Sequence, residues 1–192
     1  MKINLTILLL FFASLKAFPQ TKNNLSVLYG IGSADVNIHG VVGDFGYQSE
    51  SAHTFGLSYT RYINKIFSLE ADLTLLSNNI KETSIMPGNP PPLYDKIKMV
   101  TIPVLGKVTF LKYLYADAGF TFDFQTNYSS ASVAPKQSGI GFQGDIGAKY
   151  TFGSITIFAS PYFQYHSIVR FDKDSEFNLT NTGFKFGAGY NF

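Results

Sequence analysis

Residues 113–125 read YLYADAGFTFDFQ. Leu114, Ala116, Ala118, Phe120, Phe122 and Phe124 occupy every second position, and Tyr115, Asp117, Gly119, Thr121, Asp123 and Gln125 fill the gaps. Side chains of an extended strand alternate between its two faces, so this spacing makes one apolar and one polar face. A helix would mix the two sets on every face. The stretch is also longer than a usual globular strand of about 5–6 residues, and close to the ~9–11 residues that a tilted strand needs to cross a bilayer.

The same period returns seven more times, near residues 25–32, 51–63, 66–76, 97–110, 139–151, 155–166 and 181–192. The apolar faces carry Phe, Leu, Ile, Val, Tyr and Ala, with an aromatic residue on nearly every strand. The polar faces carry Gly, Ser, Thr, Gln and charges of both signs: Glu70, Asp72, Lys107, Asp117, Asp123, Asp145, Lys149 and Lys185. Periodicity alone does not say which face points inward. Strand length, aromatic content and an export signal together favour lipid outside and paired charges inside. Lipid cannot satisfy an open strand edge, so the sheet must close. The reading is an all-β fold, an eight-stranded antiparallel up-and-down transmembrane barrel.

Connection lengths follow the same plan. Long segments at Ser33–Glu50, Ser77–Lys96, Thr126–Ser138 and Ser167–Thr180 alternate with short ones at Asn64-Lys65, Leu111-Lys112 and Phe152-Gly153-Ser154. Outer-membrane barrels pair short periplasmic turns with longer external loops. Residues 1–20, MKINLTILLLFFASLKAFPQ, show a basic start, a short apolar run and small residues before Pro19, the layout of a cleaved signal peptide. The barrel domain is then 21–192. Removing Lys2 and Lys16 takes the net charge of +2 to zero. The mature chain lacks the basic excess that nucleic-acid binding requires. The absence of cysteine excludes disulfides and thiolate ligands. No cofactor is implied.

Residues 99–110, MVTIPVLGKVTF, residues 113–122, YLYADAGFTF, the run Asp145-Ile146-Gly147 and the terminal GFKFGAGYNF of 183–192 together resemble the outer-membrane β-barrel family that includes the PorT-like proteins. The resemblance implies a small eight-stranded outer-membrane barrel. It also raises a role as accessory to a protein secretion or gliding machinery. Phe184, Phe186, Tyr190 and Phe192 share one face of the last strand and look like the signal by which the barrel assembly machinery recognises its substrates.

The leading functional reading is a non-enzymatic protein of the outer membrane, its partners being membrane lipid, the assembly machinery and other envelope proteins met through the long loops. A small pore and a lipid-modifying enzyme are the other readings. The interior charges read as a lumen-filling network, because an eight-stranded barrel is only wide enough for side chains to fill. Pro87-Gly88-Asn89-Pro90-Pro91-Pro92-Leu93-Tyr94 offers an extended surface for a partner. Arg170, Asp172, Lys173, Asp174 and Glu176 read as a solvated loop face. For catalysis, His53 with Ser51 lacks a carboxylate to orient the imidazole. His166 and Ser167, as sequence neighbours, should point to opposite faces. His39 has no ligand spacing.

Overall fold

The computed structural model describes residues 23–38, 45–84, 93–127, 137–171 and 177–192. The candidate signal peptide, the Pro87–Pro92 run, His39 and the Asp172–Glu176 cluster lie outside them.

Alternation along each segment produces the fold directly. The strands are β1 (Asn23–Ile38), β2 (Phe45–Tyr62), β3 (Phe67–Ser84), β4 (Leu93–Phe110), β5 (Leu114–Gln125), β6 (Gly139–Phe152), β7 (Ile155–Arg170) and β8 (Phe177–Asn191). Each pairs antiparallel with its chain neighbour, and β1 pairs with β8, so the barrel is closed. Reciprocal bonds between the backbones of Asn23 and Phe192, at 2.7 and 2.8 Å, complete the seam. The turns at 63–66, 111–113 and 153–154 are tight, and left-handed backbone at Leu111, Lys112 and Gly153 makes two of them.

Apolar side chains face outward in a continuous belt. It includes Leu25 to Ile31 on β1, Phe67 to Leu75 on β3, Leu114 to Phe124 on β5 and Phe184 to Phe192 on β8. Phe120 and Ile146 are 64% and 66% exposed, values that water would penalise and lipid favours. Along β4 the belt runs from Phe110 to Val100. At about 3.3 Å per residue and a tilt of about 40°, that is roughly 25 Å along the membrane normal. Tyr113 stacks on Tyr150 with centroids 5.9 Å apart near the short turns, and Tyr29 packs on Phe186 at 5.6 Å toward the other rim. Such rings suit the two interfaces.

The strands run 12 to 18 residues, against the shorter spans read from the sequence. Most of the extra length lies beyond the belt, in segments expected to be loop. There the polarity of the faces inverts. Ser33, Asp35, Ser77, Lys96 and Lys98 point outward, while Ala34, Ala52, Leu76, Ile97, Met99 and Leu179 form a buried apolar cluster inside. The closed barrel ends near this level, since β1–β2 pairing stops at Gly32↔Ala52 and β4–β5 pairing at Met99↔Gln125, while β2–β3, β3–β4 and β1–β8 pairing runs on past it. The apolar cluster shares this part of the interior with buried polar side chains such as Asn78 and Asn181.

Candidate functional site: the barrel lumen

Two ion-paired groups occupy the lumen at the level of the belt. Lys107 on β4 pairs with Glu70 on β3, and with Asp117 on β5 at 3.3 Å. Its ammonium lies 4.5 Å from the centre of the Tyr115 ring. Thr60 donates a bond of 2.8 Å to Glu70. Lys185 on β8 pairs with Asp145 on β6 and lies 5.5 Å from the Tyr162 ring centre. All five charged groups are buried. Charge taken from water costs several kcal/mol unless paired, which explains the clustering. Gly147 gives Tyr115 its space: a Cβ there would come within 2.6 Å of the ring.

The other sequence-selected charges behave differently. Asp72 lies opposite Ser58 and is 2% exposed, yet neither carboxylate oxygen makes a hydrogen bond of ordinary geometry among the described residues. Lys149, half-buried near the short turns, donates to Thr109 at 2.8 Å and lies over the Tyr62 ring. Asp123 belongs to a separate network.

That network crosses the lumen from β3 to β5. Asn78 and Asn181 exchange amide bonds of 2.8 and 3.3 Å. Asn181 meets His166 Nε2 at 2.9 Å, and His166 Nδ1 meets Asp123 at 2.9 Å. The brace passes over strands where the side chain is small or absent. Ala52 on β2 and Ala34 on β1 are the register partners of Asn78 and Asn181. Gly141 lies on β6, where a Cβ would approach the Asp123 carboxylate to 2.9 Å.

The brace depends on a bulge. Between the pairs Ile140↔Val169 and Phe142↔Tyr165, β7 holds more residues than β6, and Ser167 adopts φ 54°. His166 and Ser167 are consequently both inside, at 0% and 1% exposure, and the sequence expectation of opposite faces fails. Glycine tolerates this backbone and a β-branched residue does not. Ser167→Gly is expected to leave stability within about 1 kcal/mol of wild type, and Ser167→Val to lower it by about 1–2 kcal/mol, as read by urea unfolding in vesicles.

A cavity of about 20 Å³, room for about one water, opens near the short turns, lined by Asn24, Thr60, Glu70, Lys107, Tyr115 and Thr156 among others. Side chains otherwise fill the lumen at this level. Among the described residues no group of three or more His, Asp or Glu side chains is placed to hold a metal ion.

Residues 5–192 match the family described as outer membrane protein beta-barrel domain. The chain belongs to that family. Its place is the outer membrane, and its lipid-facing belt is the one described above. Among solved structures, the outer membrane protein OprG from Pseudomonas aeruginosa is 14% identical with a TM-score of 0.54, the alignment covering 90% of this chain and 95% of OprG. Ail, the attachment invasion locus protein of Yersinia pestis, solved with the heparin analogue sucrose octasulfate, is 14% identical with a TM-score of 0.47, covering 88% and 99%. Outer membrane protein W of E. coli is 15% identical with a TM-score of 0.43, covering 87% and 97%. At 14% identity the likeness to OprG shows the barrel fold alone. No curated protein matches the sequence.

The catalytic candidates of this outer-membrane barrel are not assembled. His53 faces outward, with Nδ1 2.9 Å from the Tyr29 hydroxyl. Ser51 accepts a bond of 2.9 Å from Asn79. No hydrogen bond joins Ser51 to His53 among the described residues, so the serine has no general base in place. His166 is sealed within the brace. The residues that sequence reading missed are Asn78 and Asn181, whose roles appear only when β3 and β8 face each other across the lumen.

Proposed function

We propose that this outer-membrane barrel is a non-enzymatic surface protein that holds a rigid collar and its loops above the outer leaflet for contact with other envelope proteins. The carrying observation is the inverted polarity beyond the belt. Pairing of β2 with β3, β3 with β4 and β1 with β8 continues there, with polar side chains outside and the apolar cluster inside. On β4 the residues above Val100 extend roughly 15–20 Å further along the normal. A passive lipid anchor has no need of that height. A role beside a secretion or gliding machinery is the narrower form of the same reading.

Photo-crosslinkers placed at Ser77 and Lys98, on the outside of the collar, are the test. Adducts with a defined set of envelope proteins, absent from a crosslinker at the lumen-facing Ser58, support the proposal. Adducts with lipid alone overturn it. If those adducts are components of a secretion or motility machine, the narrower role follows.

The terminal strand carries a second part of the proposal. Phe184, Phe186, Tyr190 and Phe192 all face outward, with Phe192 58% exposed, and are available to the assembly machinery before lipid covers them. Deleting Phe192 is expected to reduce the folded, heat-modifiable form in cells several-fold. Refolding of the purified chain into vesicles should change little. Equal losses in both settings would assign Phe192 to stability rather than recognition.

A further inference from the structure

We propose that the outer face of β5 to β7, at the short-turn end, is a binding site for an anionic phospholipid, with an acyl chain in a groove over Ala148 and Ala159 and the phosphate at Lys112. Short turns lie on the periplasmic side of such barrels, so the inference is independent of the surface-contact reading.

The groove is built by side-chain size. Leu114, Ala148, Ala159 and Phe186 follow one another in register across β5, β6, β7 and β8. All four point outward, and the two alanines between the larger pair floor a hollow of about 360 Å³. That volume is in the range of a small-ligand site. Tyr113 and Tyr150, stacked with centroids 5.9 Å apart, wall it toward the turns, and Ile157 lines it beside them. Elsewhere near this rim Leu25, Leu69 and Tyr190 stand out from the wall, each at least half exposed. The apolar matter at this depth is acyl chain, so the hollow takes one.

The charge beside the groove selects the headgroup. Lys112 is exposed, and its ammonium lies 5.4 Å from the centre of the Tyr113 ring, which holds it next to the groove. Leu111 and Lys112 have φ 49° and 68°, backbone that Gly, Asn or Asp adopts more readily. Leu111 is also 79% exposed at the tip. The turn thus presents an apolar side chain and a cation together, as suits a segment that dips among lipid headgroups. Residues 59–69, 108–116 and 147–157 carry Arg61, Lys65, Lys112 and Lys149 and no Asp or Glu. The next carboxylates, Glu70 and Asp117, lie inside the wall and pair with Lys107. The rim is therefore positive toward lipid, which favours a headgroup of net negative charge over a zwitterionic one. The hydroxyls of Tyr113 and Tyr150 can donate to phosphate or ester oxygens of the same lipid.

The test is native mass spectrometry of the refolded full chain, released from nanodiscs of phosphatidylglycerol and phosphatidylcholine in equal parts. Wild type is expected to retain phosphatidylglycerol several-fold over phosphatidylcholine. Lys112→Gln should lose most of that preference. Ala148→Leu with Ala159→Leu should fill the groove and lower the retention of both lipids. Lys65→Gln, in the turn between β2 and β3, should behave as wild type. Heat-modifiable migration reports folding in each case. A phosphatidylglycerol with a photoreactive acyl chain needs no variant, and should label residues 148–159 more than residues 67–75 on the lipid face of β3. Wild type that retains the two lipids equally, folded Lys112→Gln with its preference unchanged, a folded double leucine variant with its retention unchanged, or labelling spread evenly over the two segments overturns the proposal.

Discussion

Lys107→Met is expected to destabilise the folded barrel by about 3–5 kcal/mol, the range for removing one partner of a buried ion pair. The substitution keeps the length of the side chain and its apolar stem. It removes the positive charge between Glu70 and Asp117, which are 7% and 5% exposed. The cost comes from the two carboxylates left behind rather than from the contact itself. Replacing all three residues, as Glu70→Gln, Lys107→Met and Asp117→Asn, should therefore recover much of the loss. Equilibrium urea unfolding in lipid vesicles, followed by circular dichroism, measures both. A single variant within 1 kcal/mol of wild type would show that water screens this cluster.

The second large effect belongs to the outer face. Phe120→Arg is expected to cost about 2–4 kcal/mol, as cationic residues do at the midplane on the lipid side of a barrel. Phe120 lies near the centre of the β5 belt, with Val104 and Phe142 as its register partners. Ser77→Arg, on the outer face of β3 just beyond Leu75, should cost about 0–1 kcal/mol. The contrast matters more than either value. Both sites face outward, and only the solvent outside differs. Equal costs would mean that the belt does not end where the polarity inverts.

These elements differ in how legible they were. The β5 alternation from Leu114 to Phe124 is local, so each side chain reports its own face, and eight such segments were enough for a closed barrel. The collar left a fainter mark. On β4 the apolar belt occupies even positions from Val100 to Phe110, while Ile97 and Met99 occupy the odd positions on either side of Lys98. The same change of parity separates Leu75 from Leu76 on β3. It signals a change of solvent, but a short run of it looks like the beginning of a loop.

The brace left almost no mark. Asn78, Asp123, His166 and Asn181 lie on four strands and meet only after closure. The bulge at Ser167 is defined by the residue count on β6, not by anything within β7. The charges were visible as lumen residues because they share the polar face. Which of them pair was not, because Lys107 selects Glu70 and Asp117 through cross-strand register, while Asp72, two positions from Glu70, is left without such a partner.

One outer wall meets lipid below and water above, with the change between Val100 and Lys98 on β4 and between Leu75 and Ser77 on β3. The chain has no cysteine, so single cysteines can be placed and spin-labelled without background. Power-saturation resonance in vesicles then compares collisions with oxygen, which partitions into lipid, and with a water-soluble nickel chelate. Labels at Val104 and Phe120 should collide mainly with oxygen, and labels at Lys98 and Ser77 mainly with nickel. Nickel dominating at Val104 and Phe120 would contradict the account.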